Sequence, residues 1–270
     1  IVTYFFASYL FDTSVGLLAA FLLAVFPMDV LFASQLFPYE FLVFFTTCSL
    51  FAFLKGVDED RIFLIFLAGL CLGLAYLSRI SALYSLLFFA LYAVWKREVS
   101  LKYLYFLIGL GVVFLGEAIW SYVLWGDFLA RYDILLNKVT AGSGKDGISL
   151  QWLLEPFVRP FFEQEFALYA VLFLLSFILY FVKYKNKNAL ILLLWIIPIF
   201  IYISYGSTSP THYSALRRLP RYYSVIIVPA IIFSSYILLQ INNKKLVYLF
   251  IVLICTTSLG ALAIDKSKYI

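Results

Sequence analysis

Residues 62–95 read IFLIFLAGLCLGLAYLSRISALYSLLFFALYAVW, and Arg79 is the single charge among them. A hydrocarbon core about 30 Å thick takes roughly 20 apolar residues as a helix. The stretch therefore holds two spans that meet at the turn Ser78 to Ser81. Apolar residues occupy every face of both halves, so hydropathy rather than a 3.6-residue stripe specifies helix. A membrane barrel would show short alternating segments instead. A short basic stretch stands on either side, Lys55 to Arg61 before and Lys96 to Lys102 after.

The same pattern runs outward in both directions. Apolar runs lie at approximately 1–11, 13–28, 38–54, 62–78, 81–95, 103–124, 166–182, 189–204, 222–240 and 246–263. The composition agrees: of 270 residues, 64% are hydrophobic and 13% charged, with a mean hydropathy of +0.99. A soluble domain carries about 25% charged residues, so a water-soluble globule is excluded, as are a disordered chain and a disulfide scaffold. The expected fold is all-α and polytopic, with about ten transmembrane segments in one transmembrane domain over 1–270.

Short basic connections alternate with longer mixed ones. Lys55 to Arg61, Lys96 to Lys102, Lys183 to Lys187 and Asn242 to Lys245 together hold ten Lys and Arg. The other set is Pro27 to Pro38, Ser78 to Ser81, the long stretch 125–165, and 205–221. Positive-inside bias is read from short loops, so the basic set is expected in the cytoplasm and the mixed set outside. Within the long outer loop 125–165, QWLLEPFVRPFF (residues 151–162) reads as a short helix lying in the interface. Trp95, Trp120, Trp125 and Trp152 fall near boundaries, where Trp anchors a span.

Several chemistries are excluded by content. A net charge of +5, scattered along the chain, does not describe a nucleic-acid binder. Cys48, Cys71 and Cys255 lie in apolar runs and His212 is the only histidine, so no metal site is expected. Ala141-Gly142-Ser143-Gly144-Lys145-Asp146 lacks the first glycine and the final Ser/Thr of a phosphate-binding loop, and no strand precedes it. Gly69 and Gly73 form a small-residue helix-packing motif.

The charges of the expected outer side are the candidates for chemistry. They are Glu40 in Pro38-Tyr39-Glu40, Arg79, Asp127 after Gly126 with Arg131, and Arg217, Arg218 and Arg221 followed by Tyr222. A charge at membrane depth costs a few kcal/mol, so it pairs or lines a wet cavity. Guanidinium forks suit phosphate, and at headgroup level that fits a lipid-linked phosphate. Glu40 also stands where a carboxylate complements a helix dipole, and Asp127 where a turn follows Gly126. Glu117, about two turns inside its span, needs a partner or water.

These motifs, in order, resemble the polyprenyl-phosphate-sugar-dependent GT-C glycosyltransferases. The nearest groups are the dolichyl-phosphate-mannose protein mannosyltransferase-like and aminoarabinose transferase-like families. The segments that carry the resemblance are VGLLAAFLLAVFPMDVLFASQLFPYEFLVFF (15–45), LAGLCLGLAYLSRISALYSLL (67–87), WGDFLARY (125–132) and LPRYYSVIIVP (219–229). The resemblance implies a GT-C-type transmembrane domain and an inverting, general-base transfer from a polyprenyl-phosphate-linked sugar. The acceptor is a protein, lipid or glycan on the extracytoplasmic face, and no cofactor is needed beyond the donor. Glu40 is then a supporting carboxylate. Arg79, Asp127, Arg131, Arg217, Arg218, Arg221 and Tyr222 contact phosphate or sugar.

The family's presumed catalytic acid lies in a first outer loop, which this chain does not contain. The chain opens at Ile1 inside an apolar run, so an N-terminally incomplete protein, inactive alone, is expected, with its catalytic base upstream. Asp12 falls on the cytoplasmic side and Asp29 does not match the motif, so neither takes that place. Alternatives are a secondary transporter or channel, a lipid-carrier polymerase or ligase of another fold, and a catalytically dead relative. Against transport, no internal repeat is visible and the charges sit at one face rather than mid-span.

Overall fold

A computed structural model describes residues 1–34, 37–97, 100–130, 150–163, 166–206 and 220–264. The protein is an all-α, polytopic membrane protein, and no strand occurs among the described residues. The helices are α1 Val2–Leu10, α2 Thr13–Ala24, α3 Pro27–Ser34, α4 Pro38–Asp58, α5 Ile62–Ser78, α6 Leu86–Lys96 and α7 Lys102–Trp125. Then come α8 Leu150–Val158, α9 Ala167–Val182, α10 Lys187–Tyr205, α11 Ser224–Leu239 and α12 Lys244–Ile264. By length and hydropathy α4, α7, α10 and α12 suffice to cross a bilayer; α2, α5, α6, α9 and α11 are shorter apolar helices.

Local chemistry explains where the helices stop. Asp12 caps α2, its Oδ1 accepting from the N–H groups of Ser14 (2.7 Å) and Val15 (3.0 Å), which satisfies two orphan donors. The expected connection Pro27 to Pro38 is itself partly helical: α2 ends early and Pro27, at the first position of α3, starts a new short helix. The turn at Ser78 to Ser81 narrows to one extended residue, Arg79. A 3-10 segment, Ile80–Ser85, then leads into α6. Arg97 (φ 55°) and Gly126 (φ 71°) end α6 and α7 in the left-handed conformation common just past a helix.

The chain divides into two compact units. The first comprises Ile1–Glu40, Ser149–Ile196 and Ile226–Ile270. In it Gly16 lets α2 approach α1 so closely that a Cβ would stand 2.0 Å from the Ser8 hydroxyl. Phe11 stacks on Tyr236 at 4.2 Å, and Asn188 Nδ2 donates to the Leu10 carbonyl. The Tyr169 hydroxyl donates to the Leu22 carbonyl at 2.9 Å, and Phe26 packs edge-on against Phe166 and Tyr169. The corner between α2 and α3 is thereby held against the start of α9. Just after α8, Arg159 bonds Glu163 at 2.6 Å and pairs with Glu155 of α8 at 3.5 Å.

The second unit comprises Phe41–Ile148 and Ile197–Val225. Ser49 Oγ, buried on α4, donates to the Ala68 carbonyl of α5 at 2.7 Å. Phe53 packs edge-on against Phe89 (4.8 Å) and Phe106 (5.7 Å), tying α4 to α6 and α7. The tightest contact joins α5 and α7, which run parallel. A Cβ on Gly69 would stand 2.0 Å from the Phe106 carbonyl oxygen, and one on Gly109 2.2 Å from that of Phe66. In lipid no hydrophobic gradient drives helices together, so such backbone contact supplies the packing. Lys102 pairs with Asp60, and Arg61 with Glu59 at 3.0 Å, at the opposite end from Arg79.

Gly69→Ala and Gly109→Ala are expected to destabilise the second unit by about 1–3 kcal/mol each. Gly111, with open space around it, serves as the control, and Gly111→Ala leaves the melting temperature in detergent unchanged. An unchanged Tm for all three would mean that α5 and α7 do not touch.

Candidate functional site

Two acids of the first unit, Asp29 and Glu40, lie in the first turns of helices. Asp29 lies in the first turn of α3 and is 8% exposed. Glu40 lies in the first turn of α4, partly buried, where its carboxylate complements the helix dipole. Burial pushes the Asp29 carboxyl well above the usual carboxylate range, and the charge of Glu40 pushes it further. Glu40 Oε1 is buried and has no hydrogen-bond partner among the described residues. Two carboxyls drawn from water within reach of one another do not both ionise freely, so Asp29 keeps its proton where an ordinary Asp has lost it.

Asp29 is the residue that motif comparison passes over. Its signal was present in the sequence: one acid two residues after Pro27, inside a run otherwise free of charge from Val15 to Tyr39. Asp12, by contrast, is occupied as the cap of α2.

The second unit holds the other described candidates. Arg79 is half-buried; its N–H donates to the Ala75 carbonyl (2.9 Å) and its carbonyl accepts from the Ala82 N–H (3.0 Å). It thus links α5 to the 3-10 segment. The parallel pairing of α5 and α7 sets the heights of the neighbouring acids. Gly73 abuts Val113 and Tyr76 packs on Phe114 at 4.6 Å. Glu117, one turn past Val113, is therefore level with the last residues of α5. Asp127 stands roughly 15 Å further along. Asp127 Oδ1 accepts from the Leu129 N–H at 2.9 Å, as a turn residue does.

Tyr222 belongs to the 3-10 segment Pro220–Tyr223. The Tyr84 phenol, on the segment that follows Arg79, is within electrostatic range of both Tyr202 and Tyr222. The rings of Tyr84 and Tyr202 lie 4.8 Å apart. Neither Tyr84 nor Tyr202 carried a signal in the sequence, since each sits in an apolar run where Tyr is common. Arg131, Arg217 and Arg218 lie outside the described residues, as does the side chain of Arg221. Among the described residues no three His, Cys, Asp or Glu gather as metal ligands. A cleft between α9, α11 and α12 has one polar residue, Ser176, in its lining.

Residues 1–122 match the family model described as dolichyl-phosphate-mannose-protein mannosyltransferase. The match supports a membrane glycosyltransferase of GT-C-like type. It runs from α1 into α7 and takes in Asp29, Glu40, Arg79 and Tyr84, while Asp127, Tyr202 and Tyr222 lie beyond it. No curated protein and no solved structure matches the chain.

The raised Asp29 carboxyl carries a pH signature. The folded state holds a proton that the unfolded chain releases above about pH 4, so this group's contribution to stability declines as pH rises toward the folded-state pKa. Asp29→Asn, which cannot ionise, is expected to flatten the dependence of Tm on pH. At neutral pH it should raise Tm on the order of 2–4 °C. A Tm profile parallel to that of the unsubstituted protein from acid to neutral pH would contradict the buried, protonated carboxyl.

Proposed function

We propose that this protein transfers a sugar from a polyprenyl-phosphate-linked donor to an acceptor on the extracytoplasmic face of the membrane, with inversion at the anomeric carbon. The observation that carries the reading is the family match over residues 1–122. The membrane-spanning helices and the placement of Glu40 and Arg79 at helix ends agree with it.

The chemistry follows from the groups. A carboxylate accepts the proton of the acceptor hydroxyl or amine as that oxygen or nitrogen bonds to the anomeric carbon. The bond from that carbon to the phosphate oxygen breaks, and the lipid phosphate leaves with the electron pair. Guanidinium groups stabilise the charge that grows on it, which is the role assigned to Arg79, Arg131, Arg217, Arg218 and Arg221. A single displacement inverts the centre, whereas retention needs a carboxylate nucleophile. Glu40 is the supporting carboxylate beside sugar or acceptor, Asp127 a polar contact at the far end of α7, and Tyr222 a neighbour of the arginines. Membrane lipid is the medium and the source of the donor.

The test uses membranes containing the whole protein, supplied with radiolabelled polyprenyl-phosphate sugar. Transfer to an endogenous acceptor is expected. Glu40→Ala and Arg221→Ala should each cut it by about tenfold to a hundredfold, with the amount of folded protein unchanged. Full rates in both variants would overturn the site assignment, and movement of a solute across the membrane without transfer would indicate a transporter.

A further inference from the structure

Two phenols of the second unit pack together, and a third belongs to a segment seated on the same helix. Tyr84 comes from the 3-10 segment Ile80–Ser85, Tyr202 from the last turn of α10, and Tyr222 from the 3-10 segment Pro220–Tyr223. Tyr84 and Tyr202 meet at 4.8 Å with their planes inclined by 56°, and the Tyr84 phenol is within electrostatic range of Tyr202 and Tyr222. Phe200 packs on Tyr223 at 5.8 Å, which seats the Pro220–Tyr223 segment against α10. Tyr202 is 36% exposed, while Tyr84 and Tyr222 are half-buried. The cluster is therefore anchored inside the unit yet keeps an accessible face.

Its chemistry is specific. Three aromatic faces and three hydroxyls, with no formal charge, favour a neutral polyol over a bare anion. They do match a hexose, which presents an apolar C–H face to a ring and a rim of hydroxyls to phenolic oxygens. Arg79 immediately precedes the segment that carries Tyr84. At about 2 Å per residue in a 3-10 helix, Arg79 and Tyr84 are about 10 Å apart along the chain, the scale of one hexose and its phosphate. On the inner side of the same segment the buried hydroxyls of Ser81 and Ser85 have no partner among the described residues, so this segment carries more polar capacity than packing requires.

We propose that Tyr84, Tyr202 and Tyr222 form the subsite that holds the sugar of the lipid-linked donor, with Arg79 at its edge toward the phosphate. This rests on the glycosyltransferase reading and adds to it the residues that select the sugar. The phenols stack on the ring and hydrogen-bond its hydroxyls, and the arginine takes the phosphate. The sugar-binding and phosphate-binding contributions then separate by residue.

Two probes separate them experimentally: dolichyl-phosphate-mannose and dolichyl phosphate, each titrated against the whole protein in lipid nanodiscs. The unsubstituted protein is expected to bind the sugar-bearing lipid more tightly. Tyr84→Ala and Tyr202→Ala should weaken that binding about tenfold and leave dolichyl phosphate affinity within about twofold. Tyr84→Phe, which keeps the ring and loses the hydroxyl, should lose a few-fold on the sugar-bearing lipid alone and guards against misfolding as the cause. Arg79→Gln should weaken both lipids together. Equal loss for both lipids in the tyrosine variants overturns the sugar subsite, as does no loss for either, the behaviour of an aromatic belt at the membrane surface. If the unsubstituted protein binds neither lipid, the glycosyltransferase reading falls, and the subsite with it.

Discussion

At Gly69 and Gly109 the backbones of α5 and α7 touch, each glycine Cα lying where a side chain would strike the carbonyl of the other helix. Inside a bilayer the tails are as apolar as the helices, so association depends on how closely backbones approach. Two glycines on facing surfaces allow that approach and lock the two helices into one parallel register. The register then decides heights: Glu117 comes level with the end of α5, and Asp127 lies well beyond it. The extended residue Arg79, at the end of α5, takes its position from the same contact.

The first unit follows a different constraint, the cost of burying charge. Asp29 and Glu40 lie at the starts of two successive helices separated by a short link, and both are drawn out of water. A protonated Asp29 relieves the repulsion. Around it the fold is tied by neutral contacts, such as the Tyr169 hydroxyl on the Leu22 carbonyl and the edge-on packing of Phe26. Ion pairs among the described residues include those of Lys55, Glu59, Asp60, Arg61 and Lys102 at one end of the second unit and those of Arg159 just after α8.

Much of the helical pattern was legible in the chain because it is written in hydropathy, which is local. The runs 62–78 and 103–124 reappear almost residue for residue as α5 and α7. The misses are local too. Pro27 divides the run beginning at residue 13 by taking the first position of a new helix, where its missing N–H costs nothing. The segment Ile80–Ser85 winds as a 3-10 helix after the extended Arg79, a choice that composition does not record.

The candidate site was legible only where a charge stood out against an apolar background. Glu40, Arg79 and Asp127 announce themselves in that way, and Asp29 did so without matching a motif. Tyr84 and Tyr202 did not, because a tyrosine within an apolar run has the same sequence signature whether it faces lipid, packs in a core or meets other phenols. By itself, then, the sequence determined the all-helical membrane architecture and the short list of charges at helix ends, since both follow from the cost of placing polar groups in hydrocarbon. Which groups meet was decided by the tertiary structure alone. The contact of Tyr84 with Tyr202 depends on helix register and on turns between elements distant in the chain, and no local energy term in the sequence encodes it.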